Sequence, residues 1–393
     1  MTELLVRLFI SNKDEVQDSK VRTAYGVLAS IVGICLNIVL FAVKLTAGLL
    51  LNSISVMADA FNNLSDAASS VISFVGVKLA GRPADAEHPF GHGRYEYIAA
   101  LAVSFLVLQV GLSCLKSAVG KIFRPERVEF QPVIILVLAV TILLKLWLAF
   151  FNRKLGRRIN SKVMQATAAD ATGDVLVTGA TVLSLIIGKY SGLAVDGYMG
   201  AVVSVVVVAA GIGIAKDTLK PLLGEAVTPE VYELLTKKVE SYDGILGTHD
   251  LIVHNYGPTH SMATIHAEVP NDVGIETAHA LIDRIERETL HDLDIFLVIH
   301  MDPVEVRDKA VGACKLRVAE LVCELEPAAS IHDFRMVKGE KRITLIFDLV
   351  VPYSYEPESE RELLERVSAR LEQEDPRYEC VINIENSFVR AEN

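Results

Sequence analysis

The chain has 393 residues, of which 51% are hydrophobic, and its mean hydropathy is +0.37. This is more apolar surface than a soluble protein of this length buries, which indicates that part of the chain lies in lipid. The formal net charge of -11 and the lack of a basic patch exclude nucleic-acid binding. Five scattered cysteines without a CxxC pair exclude a disulfide framework and a thiolate zinc site.

The first 220 residues carry the apolar stretches. Residues 1–20 combine a short apolar patch with charges, which favours an amphipathic helix on the membrane surface. Residues 21–220 contain six stretches of the length that spans a bilayer, so we expect an all-α transmembrane bundle of six helices. The predicted spans are Tyr25–Leu49, Ser53–Leu79, Tyr97–Ala118, Pro132–Phe151, Val163–Ile187 and Tyr198–Ile214.

The distribution of Lys and Arg between the spans predicts the orientation. Basic residues concentrate in the connections after the second and fourth spans, which the positive-inside rule places in the cytoplasm. The third connection, with Lys121, Arg124 and Arg127, disagrees with this orientation. We expect a multi-pass protein of a bacterial plasma membrane with both termini cytoplasmic.

After residue 220 the pattern changes to short strands and amphipathic helices, and most of the acidic residues lie here. Residues 221–305 predict a cytoplasmic α+β module of ferredoxin-like order αββαβ, and residues 306–393 repeat that order. His249-Asp250 in the first module is matched by His332-Asp333 in the second. We interpret the second module as a tandem duplicate that enlarges a dimer contact, with a protein-docking surface as the alternative.

Four oxygen-bearing side chains lie inside two of the predicted spans. Asn62 and Asp66 are four residues apart in the second span, and Asp170 and Asp174 are four apart in the fifth. Each pair therefore lies on one face of its helix, about a turn apart. Ionisable groups inside a span are costly and mark ion or proton pathways, so two opposed faces predict a metal site. The alternative is that these groups only hydrogen-bond neighbouring helices.

The chemistry of these donors narrows the ion. Carboxylate and amide oxygens suit Mg²⁺, Ca²⁺ and Mn²⁺, whereas imidazole and thiolate favour zinc, copper and nickel. Three carboxylates around one divalent ion leave a formal charge of about -1, and about -3 without the ion. Such a charge attracts protons, so protons and metal compete for the same oxygens, which is a physical basis for exchange between them.

The stretch Ser55–Leu101, SVMADAFNNLSDAASSVISFVGVKLAGRPADAEHPFGHGRYEYIAAL, resembles the signature of the cation diffusion facilitator family. The later stretches GPTHSMATIHAEV and VIHMDP, and the predicted order of spans and cytoplasmic module, are similar to that family as well. The resemblance covers about residues 20 to 305. It implies a homodimeric metal/proton antiporter that works by alternating access and binds its ion between the second and fifth spans. The all-oxygen set NNLSD and DATGD resembles the manganese-type branch.

The resemblance also implies two further groups of ligands. A peripheral site is indicated in the connection after the second span at Asp85, His88 and His92, for which a tight turn capped by His92 is the alternative. A regulatory site is indicated in the first cytoplasmic module at His249, His266, His279, His300 and Asp302. The aligned positions of the second module form a weaker set: His332, Asp348, Asn383 and Glu385.

We therefore expect a divalent metal exporter, selective for manganese, that acts in a lipid membrane as a homodimer. Export of zinc or iron by the same mechanism and a non-transporting membrane metal sensor are the alternatives. The chain contains no P-loop, so ATP coupling is not expected, and no organic cofactor is predicted. No enzyme activity is expected either: an intramembrane aspartyl protease built on Asp66 and Asp174 would leave Asn62 and Asp170 without a role.

Overall fold

A computed structural model describes residues 2–16, 18–50, 54–124, 132–191, 193, 195–258, 260–352 and 355–386. The chain divides into two compact units. The first consists of Met1–Glu225 with the short segment Asn255–His260, and the second of Ala226–His254 and Ser261–Asn393.

The first unit is helical. Its helices are α1 (Thr2–Phe9), α2 (Ser19–Leu50), α3 (Ile54–Ala80), α4 (Tyr95–Phe123), α5 (Pro132–Arg158), α6 (Lys162–Ser191) and α7 (Asp196–Leu223). Within the described residues, five helices are long and apolar enough to cross a membrane: α2, α4, α5, α6 and α7. Helix α3 has the length, at 27 residues, but its aspartates, asparagines and serines make it less apolar. A sixth crossing by α3 therefore stays a prediction.

Small residues let α3 pack closely against its neighbours. A Cβ atom added to Gly76 would lie 2.2 Å from the Cβ of Ala99 in α4, and one added to Gly26 of α2 would lie 2.5 Å from Val77 Cγ1. Backbones in this kind of contact approach closely, as is common between membrane helices. Helix α3 is thereby held between α2 and α4, and this packing fixes the rotation of its polar face.

The predicted amphipathic segment forms helix α1. Its Val6 is fully buried in the core of the first unit, whereas Leu4, Leu8 and Phe9 are exposed. Glu3 pairs with Lys154 of α5 at 2.7 Å. The helix is therefore attached to the bundle through one face and presents an apolar second face.

The second unit contains two modules of the same element order. The first consists of α8 (Pro229–Glu240), β1 (Gly247–Gly257), β2 (His260–Pro270), α9 (Ile275–Leu293) and β3 (Ile295–Val304). The second consists of α10 (Lys309–Leu325), β4 (Ser330–Lys338), β5 (Ile343–Val351), α11 (Pro357–Glu374) and β6 (Tyr378–Asn386). The two three-stranded sheets have the orders β1-β2-β3 and β4-β5-β6, and the last two strands of each are parallel. Each module has its own apolar core.

The two modules also share an uncommon backbone feature. Asp250 and Asp333 have positive φ angles of 50° and 51°, and they directly follow His249 and His332, respectively. Few residues other than glycine adopt this conformation, although aspartate tolerates it. The shared kink supports the proposal that the second module is a duplicate of the first.

Candidate metal sites

A hydrogen bond joins helices α3 and α6. Ser73 Oγ lies 3.0 Å from Thr167 Oγ1. Asp66 lies seven residues before Ser73, and Asp174 lies seven residues after Thr167, which is about two turns in each case. Lys145 binds both aspartates, so these steps lead in the same direction: α3 and α6 run antiparallel, and Asp66 and Asp174 lie at the same level.

A lysine of α5 joins these two aspartates. Lys145 Nζ donates to Asp66 Oδ2 and to Asp174 Oδ2, both at 2.6 Å. The Lys145 side chain is 3% exposed and that of Asp66 11%. Two carboxylates on different helices are therefore directed at one cationic group in a buried place.

The other two predicted ligands lie nearby on the same helices. Asp170 is half-buried one turn before Asp174, and it interacts electrostatically with Asp66, Asp174 and Lys145. Asn62 lies one turn before Asp66 and is exposed, whereas its neighbour Asn63 is buried. Among the described residues, the three carboxylates do not form a group whose oxygens all lie within 4.8 Å of one another. The structure thus joins Asp66 to Asp174 through Lys145, places Asp170 one turn from Asp174 and leaves Asn62 exposed.

Sequence reasoning missed Lys145, although the signal was present. A lysine within the predicted span Pro132–Phe151 is as costly in lipid as an aspartate, and the rule that singled out the aspartates applies to it equally. Lys44 of α2 is buried too and was missed for the same reason. The formal charge of the three carboxylates together with Lys145 is -2, not the -3 expected from the acidic residues alone.

The peripheral residues form a cluster before α4. Asp85 lies 3.4 Å from His88 Nδ1 through Oδ1 and 3.4 Å from His92 Nε2 through Oδ2. His92 is buried and its Nδ1 lies 3.0 Å from the carbonyl oxygen of Pro83, whereas Asp85 and His88 are exposed. The backbone N–H of His88 donates to Asp85, and this is the main reason why the pKa of Asp85 is lowered. Both the predicted three-ligand arrangement and the predicted structural role of His92 are compatible with this geometry.

In the first cytoplasmic module, three imidazoles surround one carboxylate. Asp302 of β3 lies 2.9 Å from His266 Nδ1, 3.3 Å from His249 Nε2 and 3.3 Å from His300 Nε2. The parallel register of β2 and β3 pairs His266 with His300, which explains their proximity. We call His249, His266, His300 and Asp302 the first-module cluster. His279 lies on the exposed side of α9 and belongs to none of the metal-type groups among the described residues.

Residues of the second module lie beside the first-module cluster. The rings of His249 and His332 stack with centroids 4.3 Å apart, and Asp250 lies 3.2 Å from His249 Nδ1 and 3.4 Å from His332 Nε2. Burial lowers the pKa of His249, but the neighbouring carboxylates, Asp250 first, outweigh burial and raise this pKa overall. Burial likewise raises the pKa of Asp250, but His249 and His332 outweigh it and lower this pKa overall.

Three nitrogen atoms in this region are buried without a partner. Within the described part of the chain, His249 Nε2, His332 Nδ1 and His332 Nε2 have no hydrogen bond, although carboxylate oxygens lie near them. A buried polar atom left in this way costs about 1–3 kcal/mol. Such a cost is offset when the atom binds a ligand.

Comparisons with known proteins agree with the fold. Residues 30–223 match the model of the cation efflux transmembrane domain, and residues 227–304 match that of the cation efflux protein cytoplasmic domain. Neither match extends into the second module.

Three relatives show the extent of the similarity. An uncharacterized transporter of Methanocaldococcus jannaschii is 28% identical over 278 residues, 67% of this chain and 95% of the relative. The manganese efflux system protein MneS of Bacillus subtilis is 27% identical over 71% of this chain and 96% of its own length. The cation-efflux pump FieF of Serratia proteamaculans is 26% identical over 71% and 93%. These relatives are transporters, and the two family domains together cover most of this chain. The chain therefore belongs to the cation diffusion facilitator family and is a membrane transporter for the efflux of metal cations.

Proposed function

We propose that this transporter exports manganese in exchange for protons, and that Asn62, Asp66, Asp170 and Asp174 bind the ion during its passage. The observation that carries the proposal is the position of Asp66 and Asp174, which hold one cationic group between α3 and α6 at 2.6 Å from each oxygen. A place that holds an ammonium ion between two carboxylates has the charge and the oxygen donors that a divalent cation needs.

The choice of manganese rests on the donor type. The proposed ligands are carboxylates and one amide, without imidazole or thiolate, and such hard oxygen donors favour Mn²⁺ over Zn²⁺. The similarity to a manganese efflux protein of Bacillus subtilis supports the same choice. Zinc or iron would be the cargo if donor type did not control selectivity here.

Lys145 gives the exchange a simple charge balance. The ammonium group must leave the position between Asp66 and Asp174 before an ion can bind both oxygens, but it remains tethered to α5 beside the site. With Lys145 charged, three carboxylates and one divalent ion have a formal charge of zero. Without the ion the charge is -2, and two protons restore neutrality. We therefore propose that one metal ion is exchanged for two protons.

Alternating access would expose this site to each side of the membrane in turn, with the chain acting as a homodimer through its cytoplasmic domain, in keeping with the matched cytoplasmic domain. The first-module cluster and the Asp85, His88 and His92 cluster lie outside the predicted spans. We propose that they bind metal without transporting it, the first-module cluster as a regulatory site.

Transport in inside-out membrane vesicles tests the proposal. Vesicles that contain the protein should accumulate Mn²⁺ when their interior is acidic, and an ionophore that collapses the pH difference should stop this accumulation. Vesicles without the protein are the control. Uptake that ignores the pH difference would refute proton exchange, and preferential uptake of Zn²⁺ or Fe²⁺ in competition with Mn²⁺ would refute the manganese assignment.

A further inference from the structure

We propose that the two cytoplasmic modules of a single chain share a second metal site, with ligands contributed by both modules. Its ligands are His249 and Asp250 of the first module and His332, Asp348 and Glu385 of the second, which we call the cross-module cluster. The proposal is independent of the ion that the membrane domain transports.

The modules contact each other directly at this place. A cavity of about 260 Å³ is lined by residues of both modules, among them His249, Asp250 and His332. Beside it, Lys315 of the second module pairs with Glu268 of the first at 2.8 Å. The cavity therefore lies at an interface within one chain.

Distances within the cross-module cluster suit a metal ion better than a hydrogen-bond network. His332 Nε2 lies 3.4 Å from Asp250 Oδ1 and 3.8 Å from Glu385 Oε2, and His332, Asp348 and Glu385 bring one ligand atom each within 4.8 Å of one another. A tetrahedral ion with bonds of about 2.0–2.1 Å separates its ligand atoms by about 3.3–3.4 Å. Small side-chain movements would bring these donors to that separation.

Burial provides a separate argument for a ligand. His332 is 7% exposed, and neither of its ring nitrogen atoms has a hydrogen bond within the described residues. Its ring lies near carboxylates of both modules, so the missing partner is a cation that binds nitrogen and oxygen together. Imidazole with carboxylate is the donor set of Zn²⁺ and similar transition-metal ions, and it does not select Mg²⁺ or Ca²⁺.

The repeat explains how the cluster forms. Alignment of the modules matches His249, His266 and Asp302 with His332, Asp348 and Glu385, and each of these triads brings its ligand atoms within 4.8 Å. Asp250, at its kinked position, links the two triads because it lies near both His249 and His332. An ion bound there would hold the modules together.

The test is a count of bound Zn²⁺ on the full-length chain in detergent. The chain carries Asp174→Asn, so that metal in the membrane domain contributes less to the count. His332→Ala should lose about one equivalent of Zn²⁺ relative to this parent, and Asp348→Asn, which keeps the side-chain volume, should weaken one binding step about tenfold. His291→Ala is the matched control, because that histidine has an 89% exposed side chain in the same unit.

His266→Ala separates the two sites, since it removes a ligand of the first-module cluster only. It should lose its own equivalent and leave the step that depends on His332. Retention of every equivalent by both His332→Ala and Asp348→Asn would overturn the proposal. If His332→Ala failed to fold, as judged by circular dichroism and gel filtration, Asp348→Asn would decide alone: unchanged affinity in that variant refutes the site.

Discussion

The proposed transport site and the cytoplasmic clusters both contain buried carboxylates, but these carboxylates have different partners. Between α3 and α6, Asp66 and Asp174 are paired with the ammonium of Lys145. Between β1, β2 and β3, Asp302 is surrounded by the imidazoles of His249, His266 and His300. A lysine is a cation that metal must displace, whereas a neutral imidazole is itself a metal ligand. The first arrangement suits an ion that binds and leaves, and the second suits an ion that stays.

The largest expected effect comes from removing a carboxylate of the membrane site. Asp174→Asn should lower Mn²⁺ export by about a hundredfold or more, a loss of about 2.8 kcal/mol or more, because it removes a charged ligand of the ion. Initial rates in vesicles at equal protein content provide the measurement. Asp217→Asn, with a 61% exposed side chain, is the matched control. Equal loss in both variants would mean that Asp174 has no special role.

Replacing the lysine tests whether it competes with metal. Lys145→Met keeps most of the apolar stem of the side chain but removes the charge, so Mn²⁺ should bind about ten to a hundred times more tightly, a change of about 1.4–2.8 kcal/mol. Turnover should fall, because release becomes harder. Equilibrium binding and vesicle transport measured on the same preparation separate the two effects. Weaker binding in this variant would show that Lys145 positions the aspartates and does not compete with the ion.

Exchanging one donor in each region should move their metal preferences in opposite directions. Asn62→His adds an imidazole to the proposed transport site and should shift its metal preference towards Zn²⁺ by about tenfold. His266→Asp gives the first-module cluster the aspartate that the second module has at the aligned position 348, and it should shift the metal preference of that cluster away from Zn²⁺. Competition between Mn²⁺ and Zn²⁺, in transport for the first variant and in binding for the second, measures both. An unchanged ranking with Asn62→His would exclude Asn62 as a ligand, a relevant outcome because the structure leaves it exposed.

The smallest effect is expected at the peripheral cluster, where the ligands are already satisfied or solvated. His88 is 48% exposed on its side chain, so His88→Ala should change the free energy of unfolding by no more than about 0.5 kcal/mol. It should reduce Zn²⁺ binding at this place without changing the Mn²⁺ transport rate. Thermal unfolding in detergent and the vesicle assay together check this. A large fall in transport would place the cluster on the transport path.

Most of the fold could be predicted because its signals are local. The apolar stretches placed the helices of the first unit, and the change in periodicity after residue 220 placed both αββαβ modules close to their observed bounds. The polar residues of α3 are also visible in the sequence. They indicate ligands, and they equally reduce the apolar character of that span. Spacing also predicted that Asp66 and Asp174 face each other, and both pair with Lys145 in the structure, whereas their role as ligands stays a prediction.

Contacts between distant segments could not be predicted from the sequence. The position of Lys145 between α3 and α6 depends on which helices are neighbours, and no local sequence pattern gives that information. The second module has the weaker ligand set when it is considered alone, so the sequence did not predict its contact with His249 across the interface. His279 was grouped with the other histidines from the resemblance alone, and the structure places it on the exposed side of α9.

The fixed positive charge of Lys145 has a consequence for the energy source of export. Removing a divalent ion from a cell with an inside-negative voltage of 100 mV costs about 4.6 kcal/mol, at about 2.3 kcal/mol for each charge. If a tethered ammonium makes the metal-loaded and doubly protonated sites equally neutral, two inward protons cancel that cost and the cycle is electroneutral. Export then draws on the difference in pH alone, and clamping the membrane voltage should leave its rate unchanged.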